Sequence, residues 1–170
     1  MAMVLHEEQA KLAGWKIEIL ATDISQEMVD KARRGEYNQF EVQRGLPIQM
    51  LVKHFTQESD KWIVKDELRK HITFKTFNLM EDAGTLGIFD VIFCRNVLIY
   101  FDGPTKTQVL ERLSRRMPDD GLLFLGGAET IIGVTDRFKA IREQRGVFEV
   151  TANGPPGSNV LLKQHAVATV

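Results

Sequence analysis

Cysteine is nearly missing from this chain: Cys94 is the single one in 170 residues. One thiol excludes an internal disulfide and any cysteine-based metal cluster, and it fits a reducing compartment. No histidine lies near Cys94 in sequence, so it reads as a small buried hydrophobe rather than a nucleophile. The four histidines, His6, His54, His71 and His165, show no ligand spacing, and no metal is expected. Long apolar runs are missing too. None approaches the roughly 20 residues of a membrane span, and the N-terminus lacks the basic-then-apolar pattern of a signal peptide. Charge of one sign is also lacking. Lys+Arg total 22 against 23 Asp+Glu, a formal net charge of -1 with no basic run, so neither nucleic acid nor an anionic membrane is an expected partner. There is no G-x-G-x-x-G, which argues against a dinucleotide-binding oxidoreductase, and there are no internal repeats.

What is present reads as one globular domain, long enough to bury a core. Its most informative stretch runs from Phe89 to Asp102, F-D-V-I-F-C-R-N-V-L-I-Y-F-D. Val91 to Phe93 form a short apolar run typical of a strand buried on both faces. Arg95 and Asn96 then break in abruptly. At the end of a buried parallel strand such groups face the crevice where open α/β sheets bind ligands. The plainer alternative is that Arg95 pairs with a carboxylate and Asn96 caps a turn. Tyr100 follows on the next apolar run, and Asp102-Gly103-Pro104 turns into a helix.

In order, the pattern predicts a helix over 1–13 ended by Gly14 and a strand over 15–22, with Asp23 just past its end. A carboxylate there can accept both hydroxyls of a nucleotide ribose, or serve as the N-cap of the helix predicted over 25–34. Residues 38–72 are irregular, with a short helix at 48–54 and a strand at 62–64. A core strand is predicted over 73–78, and Asn78 at its end either reads a base edge with its amide or closes a turn. A helix over 104–117 carries Val109, Leu110 and Leu113 as its apolar stripe. A strand over 122–126 and a pair at 138–141 and 147–150 follow. Asn153 to Ser158 is a linker by composition, and 160–170 is apolar but too short to assign. This alternation predicts an α/β, doubly wound sheet with an antiparallel edge.

The central stretch resembles the fourth-strand motif of the chemotaxis-receptor methyltransferases, the CheR family. Ile19-Leu20-Ala21-Thr22-Asp23-Ile24-Ser25 is similar to that family's second-strand motif, and Phe77-Asn78-Leu79 to its third-strand end. The three motifs come in the family's order and span the chain to about Thr151. The resemblance implies a Rossmann-like class I S-adenosylmethionine-dependent methyltransferase sheet with a small antiparallel β subdomain inserted at about 38–72, within a catalytic domain over 1–151 and ahead of a linker and tail over 152–170.

It implies S-adenosyl-L-methionine as cofactor and S-adenosyl-L-homocysteine as product. The cofactor site would comprise Asp23, Asn78, Leu79, Arg95 and Asn96, with Arg95 and Tyr100 at the methyl-transfer site. The implied activity is O-methylation of glutamate side chains on the cytoplasmic domain of methyl-accepting chemotaxis receptors, in the cytoplasm. Two alternatives stay open: a methyltransferase for small molecules, and a degenerate CheR-like module that binds cofactor or partner without turnover. Some relatives grip a C-terminal receptor pentapeptide through a longer glycine-containing loop. Here residues 56–61 are short and lack glycine, so that tether is not expected. Gly127 and Ala128 also depart from the family's histidine and serine before Glu129. Against the family pattern the first strand and its glycine loop would precede Met1. The chain is therefore expected to be an N-terminally incomplete catalytic domain, to be inactive alone, and to self-associate through unpaired strand edges.

Overall fold

The computed structural model describes residues 1–151 and the backbone of residues 165–169, and the chain divides into two compact units, Met1–Thr76 and Phe77–Val170. In the first unit α1 (Ala2–Glu7) is half the length predicted. Residues 8–13 carry one large apolar side chain, Leu12, too little to hold further helical turns against solvent. They run instead as turns into Gly14, whose φ of 86° favours glycine. β1 (Ile17–Asp23) follows, then α2 (Gln26–Arg34), capped by the Ser25 hydroxyl, which accepts the Met28 N–H at 3.3 Å. Next come β2 (Glu36–Asn38), α3 (Gln39–Gln43), α4 (Ile48–His54), β3 (Phe55–Glu58), β4 (Lys61–Val64), α5 (Asp66–Arg69) and β5 (Ile72–Thr76).

β1 and β5 pair in parallel, with Ile19 opposite Ile72 and Asp23 opposite Thr76, so their carboxyl ends lie side by side. β2, β4 and β3 form a separate three-stranded antiparallel sheet. A two-residue turn, Ser59-Asp60, joins β3 to β4, with Ser59 at φ 55°. That left-handed geometry matches the twist of a tight hairpin. Beneath this sheet Val42, Leu51 and Phe55 are buried, with Met3 of α1, Tyr37 and Trp62 packed against them. The helix at 48–54 thus has its apolar face on the insert and its last residue, His54, fully buried.

The second unit contains β6 (Val91–Cys94), α6 (Gly103–Ser114), β7 (Leu122–Leu125), β8 (Phe138–Ala140), β9 (Val147–Val150) and β10 (His165–Thr169). The strand order is β10-β6-β7-β9-β8. β6 pairs in parallel with both β10 and β7, and β9 runs antiparallel between β7 and β8. Ile92, Cys94, Leu123 and Leu125 alternate onto one face and are buried, as is the α6 stripe of Val109, Leu110 and Leu113. Full burial of one such aliphatic side chain contributes about 1.5–3 kcal/mol. Asp102 caps α6 by accepting the Thr105 N–H at 2.9 Å, and Pro104 occupies the first turn, where its missing N–H is harmless.

β10 is the principal departure from the sequence reading. Composition leaves residues 160–170 unassigned, and the family pattern predicts unpaired strand edges. The backbone of 167–169 instead pairs with 91–93. With that edge hydrogen-bonded inside the chain, the ground for self-association at β6 disappears. The linker at 153–158 lies outside the described residues.

Candidate functional site

In each unit polar residues stand where the parallel strands end. In the first unit Asp23 is the last residue of β1 rather than the one after it, and it is exposed. Its Oδ1 accepts the Ser25 N–H at 2.8 Å, which tightens the turn into α2. The capping role that sequence offered Asp23 belongs to Ser25. An exposed carboxylate held by its own backbone turn has the chemistry to accept from a vicinal diol.

In the second unit Asn78 is half-buried, and its Oδ1 accepts the Met80 N–H at 2.9 Å while its carbonyl accepts the Glu81 N–H. The turn-closing alternative for Asn78 is therefore realised, and its amide NH2 remains as the donor. β5 ends at Thr76, two residues earlier than the strand predicted to reach Asn78. Leu79 has a buried side chain, and its carbonyl accepts from the Arg112 guanidinium at 3.4 Å.

The end of β6 is organised by Glu129, a residue to which the sequence assigns no role. Glu129 accepts four backbone N–H groups: Asn96 at 2.8 Å and Gly126 at 2.6 Å on Oε2, and Val97 at 2.9 Å and Leu98 at 2.8 Å on Oε1. One carboxylate thus ties the loop after β6 to the loop after β7. The arrangement explains two local features. Asn96 adopts φ 60°, a left-handed conformation in which asparagine is among the least strained side chains. At Gly126 a Cβ would lie 2.5 Å from Asn96 Oδ1 and 2.7 Å from Glu129 Oε2, so only glycine fits. The sequence signal for it is an acidic residue three positions past a strand-end glycine.

With its backbone satisfied in this way, the loop presents Arg95 and Asn96 outward, and both are exposed. Among the described residues no carboxylate pairs with Arg95, so the plainer alternative for it is not seen. Arg95 lines a cavity of about 800 Å³, together with the stacked rings of Phe93 and Phe124 (4.4 Å between centroids), Glu129 and Arg145. Tyr100 lies on a short 3-10 turn, Leu98–Tyr100, 80% exposed and outside that lining. Asn96 is outside it too. Of the residues expected in this unit, the cavity draws in Arg95 alone. Behind it, burial first and the Glu129 charge second push the Cys94 thiol up to about 12, which bears out its reading as an inert core side chain.

Parallel strands with polar groups at their carboxyl ends, closed by an antiparallel strand pair, define a class I methyltransferase fold of the Rossmann-like type. The chain belongs to the CheR family: the model of the CheR methyltransferase SAM binding domain matches residues 1–147. It is 39% identical over 151 residues to "Chemotaxis protein methyltransferase 1" of Vibrio cholerae, covering 87% of this chain and 55% of that protein. It is 34% identical over 152 residues to "Chemotaxis protein methyltransferase Cher2" of Pseudomonas putida, with 87% and 55% covered. With the "Chemotaxis protein methyltransferase" of Escherichia coli it shares 36% over 144 residues, 81% of this chain and 49% of that one. The chain thus spans about half the length of these relatives.

The family's cofactor is S-adenosylmethionine, and the donor set suits it. Taken unit by unit, the polar groups at the strand ends are an exposed carboxylate, Asp23, in the first, and an amide, Asn78, and an exposed guanidinium, Arg95, in the second. No described helix is long and apolar enough to cross a membrane.

Proposed function

We propose that this chain is the S-adenosylmethionine-binding portion of a cytoplasmic protein-glutamate O-methyltransferase whose substrates are glutamate side chains on the cytoplasmic domain of methyl-accepting chemotaxis receptors. The observation that carries the proposal is the loop after β6, where Glu129 consumes four N–H groups and leaves Arg95 and Asn96 directed outward. Asp23, Asn78, Leu79, Arg95 and Asn96 are assigned to cofactor binding, and Tyr100 with Arg95 to the transfer site. The catalytic domain is assigned to residues 1–151, with the antiparallel insert at 38–72.

The cofactor supplies a sulfonium-activated methyl group. A glutamate acceptor is already ionised near neutral pH, so no general base is required of the protein. What this chain supplies is alignment and a fixed electrostatic frame. Asp23 anchors through its exposed carboxylate. Arg95 holds a cation at the mouth of the cavity on a loop that cannot drift, because its backbone is pinned from both strand ends. Tyr100, exposed on its 3-10 turn, stands free to meet a macromolecular acceptor.

Calorimetric titration with S-adenosylmethionine and S-adenosylhomocysteine tests the site. In the whole protein that contains this chain, Asp23→Ala is expected to weaken binding by about 1.5–3 kcal/mol, the worth of hydrogen bonds to a charged acceptor. Unchanged affinity would remove Asp23 from the site. Methyl transfer from labelled cofactor to a receptor cytoplasmic domain, run with the whole protein that contains this chain and beside small carboxylic acids, separates a protein substrate from a metabolite. Incorporation only into the small acids would overturn the receptor assignment. Cofactor binding with no transfer to either would favour a module that binds without turnover.

A further inference from the structure

The histidines show no metal spacing along the sequence, yet the fold of the first unit gathers two of them with a carboxylate. His6 and Glu7 end α1 and His54 ends α4, and one donor atom from each lies within 4.8 Å of the others. His54 is 0% exposed, and its Nε2 stands 2.6 Å from Glu7 Oε1. The His6 ring meets it edge-on, with centroids 5.4 Å apart. Two ring nitrogens in this cluster, Nδ1 of His6 and Nδ1 of His54, are buried with no hydrogen-bond partner. Buried ring nitrogens without partners are uncommon in folded proteins and call for an explanation.

From this geometry we infer that His6, Glu7 and His54 form a site for a divalent first-row transition ion, with zinc as the natural probe. Two imidazole nitrogens and one carboxylate oxygen are a set that zinc takes readily, whereas calcium and magnesium prefer oxygen alone. Lys53 Nζ holds Glu7 Oε2 at 2.6 Å and His54 Nε2 stands 2.6 Å from Oε1, so an ion would enter by displacing the His54–Glu7 contact and taking Oε1. Three protein ligands leave the fourth position of a tetrahedral ion to water. The ion would clip α1 to α4, two short helices already joined by Met3 packing on the Val42, Leu51 and Phe55 cluster. The rival explanation is a hydrogen-bonded pair of His54 with Glu7 that binds nothing. Cys94 offers no competing thiolate, being buried with its thiol pushed up to about 12.

The test uses the whole 170-residue chain, stripped with chelator and titrated with zinc against a chromophoric competitor, with cobalt absorption as a second probe. Expected is one equivalent of zinc at micromolar affinity or tighter, and a visible cobalt spectrum of low coordination number. Zinc should also raise the unfolding temperature. Glu7→Gln and His6→Gln should each weaken zinc at least tenfold and abolish the thermal shift, while His71→Gln with His165→Gln should leave both intact. Glu7→Gln alters an exposed residue and keeps its volume, so it reports even if the histidine variant misfolds. No saturable binding by the unsubstituted chain overturns the inference. So does binding undiminished by Glu7→Gln, or binding lost in the His71, His165 double variant.

Discussion

Glu129→Gln is the sharpest single test of how the strand-end loop is held. The glutamate accepts four backbone N–H groups at 2.6–2.9 Å, two on each oxygen. Glutamine keeps one oxygen and replaces the other with an NH2 group. Whichever way the amide turns, two N–H donors lose their acceptor and face another donor. A net hydrogen bond of this kind contributes about 1 kcal/mol, and more to a charged acceptor. The expected loss is therefore about 2–3 kcal/mol for glutamine and about 4 kcal/mol for Glu129→Ala, where all four go. Against a typical total of about 5–15 kcal/mol, alanine would approach the limit of folding and glutamine would not. Urea unfolding gives the stability change from the midpoint at constant slope. Hydrogen exchange then asks whether the change is local: the amides of Asn96, Val97, Leu98 and Gly126 should lose protection ahead of β7. A glutamine variant within about 0.5 kcal/mol of the parent, the range of ordinary surface changes, with those four amides still protected, would refute the reasoning.

Three further outcomes are expected. The Cys94 thiol, pushed up to about 12, should be ionised at pH 8 in only on the order of one molecule in ten thousand, so thiol reagents should react only once urea unfolds the chain; prompt labelling of the folded protein would contradict its burial. Lys53 and His54 hold Glu7 below its ordinary value of 4.5, and Lys61 and Lys31 do the same for Glu36 and Glu41. A carboxylate whose folded pKa is depressed stabilises fully above its unfolded pKa, so stability should be level above about pH 4.5, fall as pH drops through the lowered values, and fall less in high salt. In the whole protein that contains this chain, Tyr100→Phe and Tyr100→Ala should lower turnover on a receptor substrate more than they weaken cofactor binding. A rate unchanged from that of the unsubstituted protein in both variants would reduce Tyr100 to a ring that only packs.

The elements that could be read from sequence were those with a local cause. α2 carried its serine cap and closing glycine, α6 its Asp102-Gly103-Pro104 start and the Val109, Leu110, Leu113 stripe, and β6 its apolar run cut short by Arg95. Asp23 was placed one position out because strand ends are set by pairing, here with Thr76, which no local pattern reports. What sequence could not reach were convergences across distance. Glu129 meets amides more than thirty positions back, and His6 meets His54 from another helix. Both depend on the backbone closing first. Asn78 shows the opposite limit: base-reading and turn-closing call for the same residue type at the same place, and its bond to the Met80 amide showed which use the turn makes of it.

The parallel pairing of β6 with β10 sets a kinetic order on the second unit. β6 joins β7 through residues 31 positions apart, Val91 opposite Leu122, and β9 meets β8 across a short turn. Val167 opposite Val91 spans 76 positions. Closing the longer loop adds only about 1 kcal/mol of entropy over the shorter one, so β10 is not disfavoured at equilibrium. Its contacts nevertheless form only after both partners are in place, and high-order contacts of this kind slow folding. Until β10 arrives, a nascent chain carries one side of β6 with open backbone donors and acceptors. Refolding should therefore be concentration-sensitive in its last phase, where a second molecule's strand competes for the same edge.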